Sequence, residues 1–282
     1  MKTKYLAIAA ALALASCTNN DPVVDETKDT PITIASAGVA ELTTRAITDG
    51  KLVGITDGES ATMGVFVTSE SLETKYQATN LKWEHDGTNW DSEADVFYEG
   101  RSSQQKIYAC SPYTTVTDNN ITVTATDQID WLVATATDLT SSAVNLTMTH
   151  ALAKLVLKPT FGTELTSQTI TSVEVEGMYA LGTLNVSDNS WSDLPEANTT
   201  LAMANNELLV IPMESCTSLP ITITMEDSRK FKTTISLTTV DNKLEAGRQY
   251  NIGLQIGQDK VTLGDITAEP WIPSTGGVLE TE

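Results

Sequence analysis

The residues that could carry out catalysis or bind a metal are few in this 282-residue chain, and they lie far apart. His85 lies in the polar segment WEHDGTNW, which is rich in turn-forming residues, and His150 lies in the apolar segment MTHALAKL. A metal site would need several nitrogen, sulfur or carboxylate ligands at ordered spacing, and neither histidine has a close partner in sequence. We therefore predict that His150 is a packed structural residue and that the chain holds no metal.

Other catalytic patterns give no positive signal. The sequence contains no G-x-S-x-G elbow, no P-loop and no G-x-G-x-x-G motif. A pair of carboxylates for glycoside hydrolysis stays open as an alternative, because 37 acidic residues allow spatial pairs that the sequence does not show. The turns at 118–120 and 241–242 carry Ca²⁺-type oxygen ligands but lack the spacing of an EF-hand. We predict a protein that is not an enzyme, with no catalytic residue and no cofactor.

The aromatic residues leave two interpretations open. A tryptophan on a β-protein can stack on a sugar ring, but it more often packs in the core or pairs across strands. The chain has five tryptophans: Trp83, Trp90, Trp131, Trp191 and Trp271.

The strongest chemical signal concerns Cys17. The segment MKTKYLAIAAALALASC has a basic start, an apolar run of roughly 11 residues and small residues before the cysteine. That run is too short to cross a bilayer, which needs about 20 residues. Leu14-Ala15-Ser16-Cys17 resembles the bacterial lipobox, in which the cysteine is lipidated and becomes the new N-terminus. Residues 1–17 are thus predicted to be a lipoprotein signal peptide, with acyl chains (palmitate) on Cys17 that anchor the precursor in the outer membrane.

Arg45 is the second residue at which covalent chemistry is expected. It is the only basic residue between Lys28 and Lys51. It follows a polar tether at 18–30 and a partly alternating segment at 32–42, in which Ile32, Ile34, Val39 and Leu42 are candidates for burial. Taken alone, Arg45 is either a solvated loop residue or a processing point.

The charge balance excludes some partners. The formal net charge is −20, and removal of Lys2 and Lys4 with the signal leaves 15 basic residues against 37 acidic ones. A nucleic-acid-binding protein would need a basic patch, and anionic lipid headgroups would repel this chain. We predict that any assembly of this protein depends on shape and backbone pairing.

The two remaining cysteines, Cys110 and Cys216, do not form a disulfide framework. Their spacing leaves open whether they pair or serve as two small buried hydrophobic residues.

Alternation with a period of two, rich in Val, Ile and Thr, dominates the chain from about residue 60 and predicts an all-β fold. Asn-, Asp- and Gly-rich clusters separate the strands, and no stretch has a helical period. The predicted strands are 62–68, 105–113, 120–126, 143–150, 152–160, 171–178, 182–186, 207–213, 219–225, 231–237 and 248–256.

The length after Arg45 fits two β-sandwiches of ordinary size. The weakest alternation lies around 159–167, so we divide the chain there. The predicted regions are the signal (1–17), a tether with an N-terminal strand (18–45), an N-terminal sandwich (46–162) and a C-terminal sandwich (163–282).

Several short stretches occur in a characteristic order and together cover nearly the whole chain. In this order they resemble the fimbrillin family, which comprises type V pilins and Mfa-like fimbrial subunit lipoproteins. The stretches are the lipobox at Cys17, TRA (44–46), YACSPY (108–113), DWLVA (130–134), HALAKL (150–155), LEAGRQY (244–250) and ITAEPW (266–271).

The resemblance implies two tandem Greek-key, transthyretin-like β-sandwich domains in a structural and adhesive subunit of a cell-surface fimbria. It implies export as a lipoprotein precursor and cleavage by an arginine-specific protease between Arg45 and Ala46. The cut would remove the segment from Ile32 to Leu42, and a strand donated by another fimbrial subunit would fill the groove. No nucleic acid is expected as a partner.

The C-terminal segment departs from this pattern. Only Val278 and Leu279 are apolar after the glycine pair in STGGVLETE, so this tail is a poor donor strand. A minor or tip subunit that accepts a strand without donating one would explain it, and so would a donor that begins near 260–266. The alternative function is a surface lipoprotein that binds glycan or a host ligand without polymerising.

Overall fold

The computed structural model describes residues 28–39, 61–101, 104–165 and 168–271, and their regular secondary structure is almost entirely β-strand. The only helices in them are three short 3-10 turns, at Thr74–Tyr76, Ala125–Asp127 and Thr238–Val240. The prediction of an all-β fold is confirmed. The strands are β1 (Thr33–Val39), β2 (Ala61–Thr68), β3 (Ala78–His85), β4 (Trp90–Ser92), β5 (Lys106–Ser111), β6 (Asn120–Thr124), β7 (Leu132–Asp138), β8 (Ala143–His150), β9 (Ala153–Phe161), β10 (Ile170–Met178), β11 (Leu181–Asn185), β12 (Ser190–Ser192), β13 (Thr199–Ala202), β14 (Glu207–Val210), β15 (Ser218–Met225), β16 (Lys230–Ser236), β17 (Arg248–Ile256) and β18 (Val261–Pro270).

Alternation explains why these segments form strands. In β8, Val144, Leu146, Met148 and His150 are buried, while every residue between them is exposed. Successive side chains of a strand point to opposite faces, so this pattern places one face on a core and the other in water. All eleven strands predicted from alternation after residue 60 are present, with ends that differ by a few residues.

The first sheet has seven strands in the order β1-β8-β7-β5-β2-β3-β4. One face of it forms the N-terminal core, which includes Met63, Val65, Trp83, Ile107 and Met148. The reverse face is also covered: Phe66 and Tyr108 stack there, with ring centroids 4.8 Å apart, as part of a second core. Burial of both faces makes this sheet the centre of the N-terminal half.

The second core, here called the C-terminal core, lies among three smaller sheets. Their strand orders are β13-β10-β15-β16, β12-β11-β6 and β14-β9-β17-β18. In the last sheet β17 runs parallel to β9 and antiparallel to β18. Together with the first sheet, these layers give the packed sandwich architecture that the sequence predicted.

The two halves of the chain are joined by strand pairing. β6 pairs along its whole length with β11, from Asn120 opposite Asn185 to Thr124 opposite Leu181. β9 precedes residue 162 but lies in a sheet with β14 and β17. The division after residue 162 stays a prediction, and sheet membership favours a division between β8 and β9.

In the predicted turn clusters, several residues have a positive φ angle, a conformation that few residue types adopt. Asn and Asp tolerate the left-handed region because their short side chains bond locally. Positive φ angles occur in the clusters at 117–120, 187–190 and 240–247, at Asp118 (48°), Asn119 (64°), Asn189 (58°), Asp241 (61°), Asn242 (55°) and Gly247 (71°).

Candidate functional site

The N-terminal strand β1 lies at the end of the seven-stranded sheet and runs parallel to β8. Its ladder extends from Thr33 opposite Ala143 to Val39 opposite Met148. Because the paired strands are parallel, no tight hairpin joins them. In sequence, β1 is followed by residues 40–60 and then by β2, which lies elsewhere in the sheet.

The side chains of β1 fill one edge of the N-terminal core. Ile32, Ile34, Ala37 and Val39 are all buried, and none is more than 8% exposed. Ile34 and Ala37 are three positions apart, so a regular strand would place them on opposite faces. A bulge between Ile34 and Ser36 changes the phase and returns both to the core. The predicted burial of Ile32, Ile34 and Val39 is confirmed, and Leu42 lies outside the described residues.

A second wall contacts the chain just before β1. The Ile32 amide donates to the Val96 carbonyl at 2.8 Å, and the Tyr98 amide donates to the Thr30 carbonyl at 2.9 Å. Pro31 and Phe97 form an antiparallel bridge between these bonds. Residues 29–39 therefore lie in a groove in which residues 96–98 bond the first part, 29–32, and β8 pairs with the rest, 33–39.

Gln105 holds this second wall in place from inside the protein. Its side chain is fully buried, and its Nε2 donates to the carbonyls of Tyr76 and Phe97 at 2.9 and 2.8 Å. Its Oε1 accepts a bond of 2.9 Å from the Glu99 amide. A buried amide that makes three hydrogen bonds fixes the segment it touches, so Gln105 ties residues 97–99 to Tyr76.

A polar clasp secures the start of the N-terminal segment at the surface. Lys75 Nζ lies 3.0 Å from Asp29 Oδ1, and the Tyr76 hydroxyl donates to the same oxygen. The Tyr76 hydrogen bond and, next, Lys75 lower the pKa of Asp29 below its ordinary value. The same contacts raise the pKa of Lys75, chiefly through Asp29. The clasp is thus charged at neutral pH.

This arrangement suits the binding of an extended chain. Without residues 28–39, β8 would expose unpaired backbone groups beside an apolar channel, which is unfavourable in water. An entering strand would regain the backbone bonds and place alternate side chains in the core, as in β-strand addition. No chemistry on a small substrate is required.

His150 is a packed structural residue, as predicted. It is 3% exposed, its Nδ1 lies 2.8 Å from Asp130 Oδ1, and its ring stacks on Trp271 with centroids 3.6 Å apart. The Trp271 amide donates to the Gly247 carbonyl at 2.8 Å, and Lys154 lies over the indole ring. Four of the stretches that carried the family resemblance therefore meet around the His150 ring: 130–134, 150–155, 244–250 and 266–271.

Gly247 occupies its position for a conformational reason. Its φ is +71°, and a Cβ atom there would meet the His150 carbonyl oxygen at an ordinary 3.6 Å. The strain of the left-handed backbone, and not lack of space, explains the glycine.

His85 ends β3 and is buried against Trp90, with ring centroids 5.1 Å apart. Its Nδ1 accepts a bond of 3.2 Å from the Gly87 amide. Within the described ranges, no group of three or more His, Cys, Asp or Glu side chains is arranged to hold a metal ion. In the same part of the chain, no helix is both long and apolar enough to span a bilayer.

The two cysteines are free and buried, so they pack as small apolar residues. Burial raises the pKa of the Cys110 thiol to about 12 and also raises that of Cys216. A thiol that stays protonated at neutral pH is a poor nucleophile.

The predicted lipidation and processing residues, Cys17, Arg45 and Ala46, lie outside the described residues, as does the C-terminal tail after Trp271. The sequence missed Gln105, Asp29 and Lys75, because hydrogen bonds between distant loops leave no local pattern.

Comparison with known proteins gives one family and several similar folds. The sequence profile named fimbrillin-like matches residues 44–271. A candidate cell adhesion protein from Bacteroides ovatus has a TM-score of 0.66 at 17% identity, over 86% of this chain and 98% of the other. One from Bacteroides uniformis has a TM-score of 0.60 at 20% identity, over 75% of this chain and 91% of the other. These two likenesses concern the fold. No curated protein matches the chain.

Proposed function

This chain belongs to the fimbrillin-like family, and from that membership we propose that it is a structural and adhesive subunit of a cell-surface fimbria. The precursor is exported, lipidated at Cys17 and held in the outer membrane. An arginine-specific protease then cuts between Arg45 and Ala46. The released segment contains β1, and a strand from a neighbouring fimbrial subunit takes its place.

The observation that carries this proposal is the position of β1. β1 pairs with β8, the residues just before it pair with residues 96–98, and together they place Ile32, Ile34, Ala37 and Val39 in the core. Arg45 follows the last residue of β1, Val39, by six positions. The family match begins at residue 44, so β1 lies before the part of the chain that the family shares.

The energetics favour replacement of the strand over an empty groove. Each of Ile32, Ile34 and Val39 contributes about 1.5–3 kcal/mol by its burial. Loss of β1 would also remove the backbone bonds of its ladder with β8. A donated strand would recover both contributions.

The groove sets requirements for its occupant. A strand that replaces β1 directly must run parallel to β8 and carry apolar residues at the positions of Ile32, Ile34, Ala37 and Val39. It must also carry one extra residue after the position of Ile34, where β1 has its bulge. A charge of −20 makes copies of the chain repel one another, so backbone pairing and apolar fit supply the attraction. Donation from subunit to subunit is head-to-tail and does not close, so it builds a filament.

The experiment is to purify the protein from its native cell surface and to measure its intact mass and N-terminal sequence. The proposal predicts an N-terminus at Ala46 without lipid, and an Arg45→Ala variant that keeps residues 18–45 and stays out of the fimbria. A Lys51→Ala variant is the control for an ordinary loss of a basic residue nearby. A lipidated Cys17 with residues 18–45 intact in the wild-type protein would contradict the proposal. It would support the alternative, a surface lipoprotein that does not polymerise.

A further inference from the structure

A groove of about 620 Å³ lies at the ends of β5 and β6, apart from the groove that holds β1. Its walls come from the loop after Ser111, from β6 and from the segment that leads into Trp131. Its volume lies within the range of about 300–1,000 Å³ that small-ligand sites have.

The groove has an exposed aromatic residue and an exposed aliphatic one. Tyr113 and Ile129 are each 38% exposed, and both line the groove. Only two other large hydrophobic side chains in the described ranges are as exposed, Leu72 and Leu181. Two of these four side chains line the same concave site, so a ligand bound there would cover both.

The rest of the lining is rich in hydroxyl and carboxyl groups. Asp118, Asp127, Thr117 and Thr122 contribute to the walls. Within the described ranges neither carboxylate forms an ion pair, so both can accept hydrogen bonds from a ligand. An aromatic face beside several donors and acceptors suits a sugar, which has an apolar C–H face and hydroxyl groups at its rim.

The walls are held in place without a ligand. The Tyr113 amide donates to Thr62 Oγ1 at 3.2 Å, and Asn80 Nδ2 donates to the Thr114 carbonyl at 2.8 Å. On the other wall, Gln128 exchanges two bonds with the backbone of Leu209, at 2.9 and 2.8 Å. A preformed site loses less entropy when it binds.

We propose that this groove binds a neutral oligosaccharide, with a sugar ring stacked on Tyr113 and its hydroxyl groups bonded to Asp118 and Asp127. The charge of the lining selects against acidic sugars, because both ionised groups there are carboxylates. Lys82 lies 5.8 Å from the centre of the Tyr113 ring, but its ammonium is paired with Glu84. None of residues 28–39 lines this groove, so removal of β1 leaves its lining residues in the chain.

The test uses the purified chain on an array of neutral and sialylated oligosaccharides, followed by titration calorimetry with lactose, chitotriose and sialyllactose. The proposal predicts binding of at least one neutral oligosaccharide and weaker binding of sialyllactose. Tyr113→Ala weakens the neutral ligand about tenfold, the loss of one aromatic contact. Leu72→Ala, at a residue 98% exposed elsewhere on the protein, leaves binding unchanged.

Three outcomes would overturn the inference: no neutral oligosaccharide binds, binding is unaffected by Tyr113→Ala, or sialylated glycans bind more tightly than neutral ones. Circular dichroism checks that each variant is folded. If Tyr113→Ala fails to fold, Ile129→Glu replaces it, because Ile129 is equally exposed and lines the same groove.

Discussion

Ile34 of β1 lies beside Val144 of β8 in a parallel ladder, and both side chains are buried in the N-terminal core. The two residues are 110 positions apart, and only the chain after Val39 connects β1 to the rest of the protein. In the proposed assembly, this strand contributes core residues until cleavage after Arg45 releases it for exchange. Several measurable consequences follow from this relationship.

Ile34→Ala should lower the free energy of unfolding by about 2–4 kcal/mol, because it deletes a buried side chain and leaves a cavity. Thr33→Ala is the matched control, since Thr33 is exposed, and it should change stability by less than about 0.5 kcal/mol. Urea denaturation measures both values. Equal effects of the two variants would show that the alternation of β1 does not govern its packing.

Gln105→Ala should loosen the second wall of the groove. It removes the partner of the Tyr76 and Phe97 carbonyls and of the Glu99 amide, and each unsatisfied buried group costs about 1–3 kcal/mol. Hydrogen exchange should speed up at the amides of Ile32, Tyr98 and Glu99. Gln104→Ala, at the exposed neighbouring glutamine, should leave these amides protected. If these amides were equally protected from hydrogen exchange in Gln105→Ala, Gln105 would not be what holds this wall.

Asp29→Asn should alter the pH dependence of stability in one direction. The pKa of Asp29 is lower in the folded protein than its ordinary value of 3.8, because Tyr76 and Lys75 bond its ionised form. The clasp therefore stabilises the protein above about pH 4 and loses this effect as the pH falls through the lowered pKa. The difference in Tm between wild type and Asp29→Asn should be constant from pH 7 to about pH 5 and shrink below it. A difference that grows toward acid pH would contradict the clasp.

Trp271→Ala should destabilise the protein by about 3–5 kcal/mol, because the indole stacks on His150 and is 9% exposed. Trp271→Phe should recover much of this loss, since a phenyl ring keeps the stacking. Thermal and urea denaturation give the values. If Phe were no better than Ala, stacking on His150 would not be the source of the stability.

The sequence predicted strands with one buried face, such as β8, and also apolar strands that are buried on both faces, such as β2 and β5. It did not predict β7, in which Leu132 and Ala134 pack in the N-terminal core while Val133 packs in the C-terminal core. The first three residues of β7 are buried and the last four are exposed, so the strand shows no alternation. It also missed β18, whose side chains are exposed or half-buried on both faces. β3, β4, β12 and β13 are short or polar, and their place in a sheet depends on neighbours from distant parts of the chain.

The candidate site likewise contains residues whose burial the sequence predicted and contacts that it did not predict. The apolar residues of β1 have a local pattern, so the burial of Ile32 and Ile34 was predictable. The bulge that buries Ala37 depends on pairing across more than a hundred residues of sequence, and the wall depends on bonds from the Gln105 side chain to backbone groups 6, 8 and 29 residues away. Such contacts leave no local periodicity.

The most direct test of strand exchange is uptake of a labelled peptide after cleavage. The folded chain is cut with an arginine-specific protease, and mass spectrometry identifies a preparation that is cut only after Arg45. A fluorescent peptide of residues 28–45 is then added in excess, and size-exclusion chromatography measures the bound label. An uncut Arg45→Ala chain is the control, because its tethered β1 competes at high local concentration. The cut chain should bind the peptide, the control should bind far less, and a peptide with Ile34→Asp should not bind. A cut chain that takes up no peptide, or takes up the Ile34→Asp peptide equally well, would contradict the claim that β1 occupies an exchangeable groove.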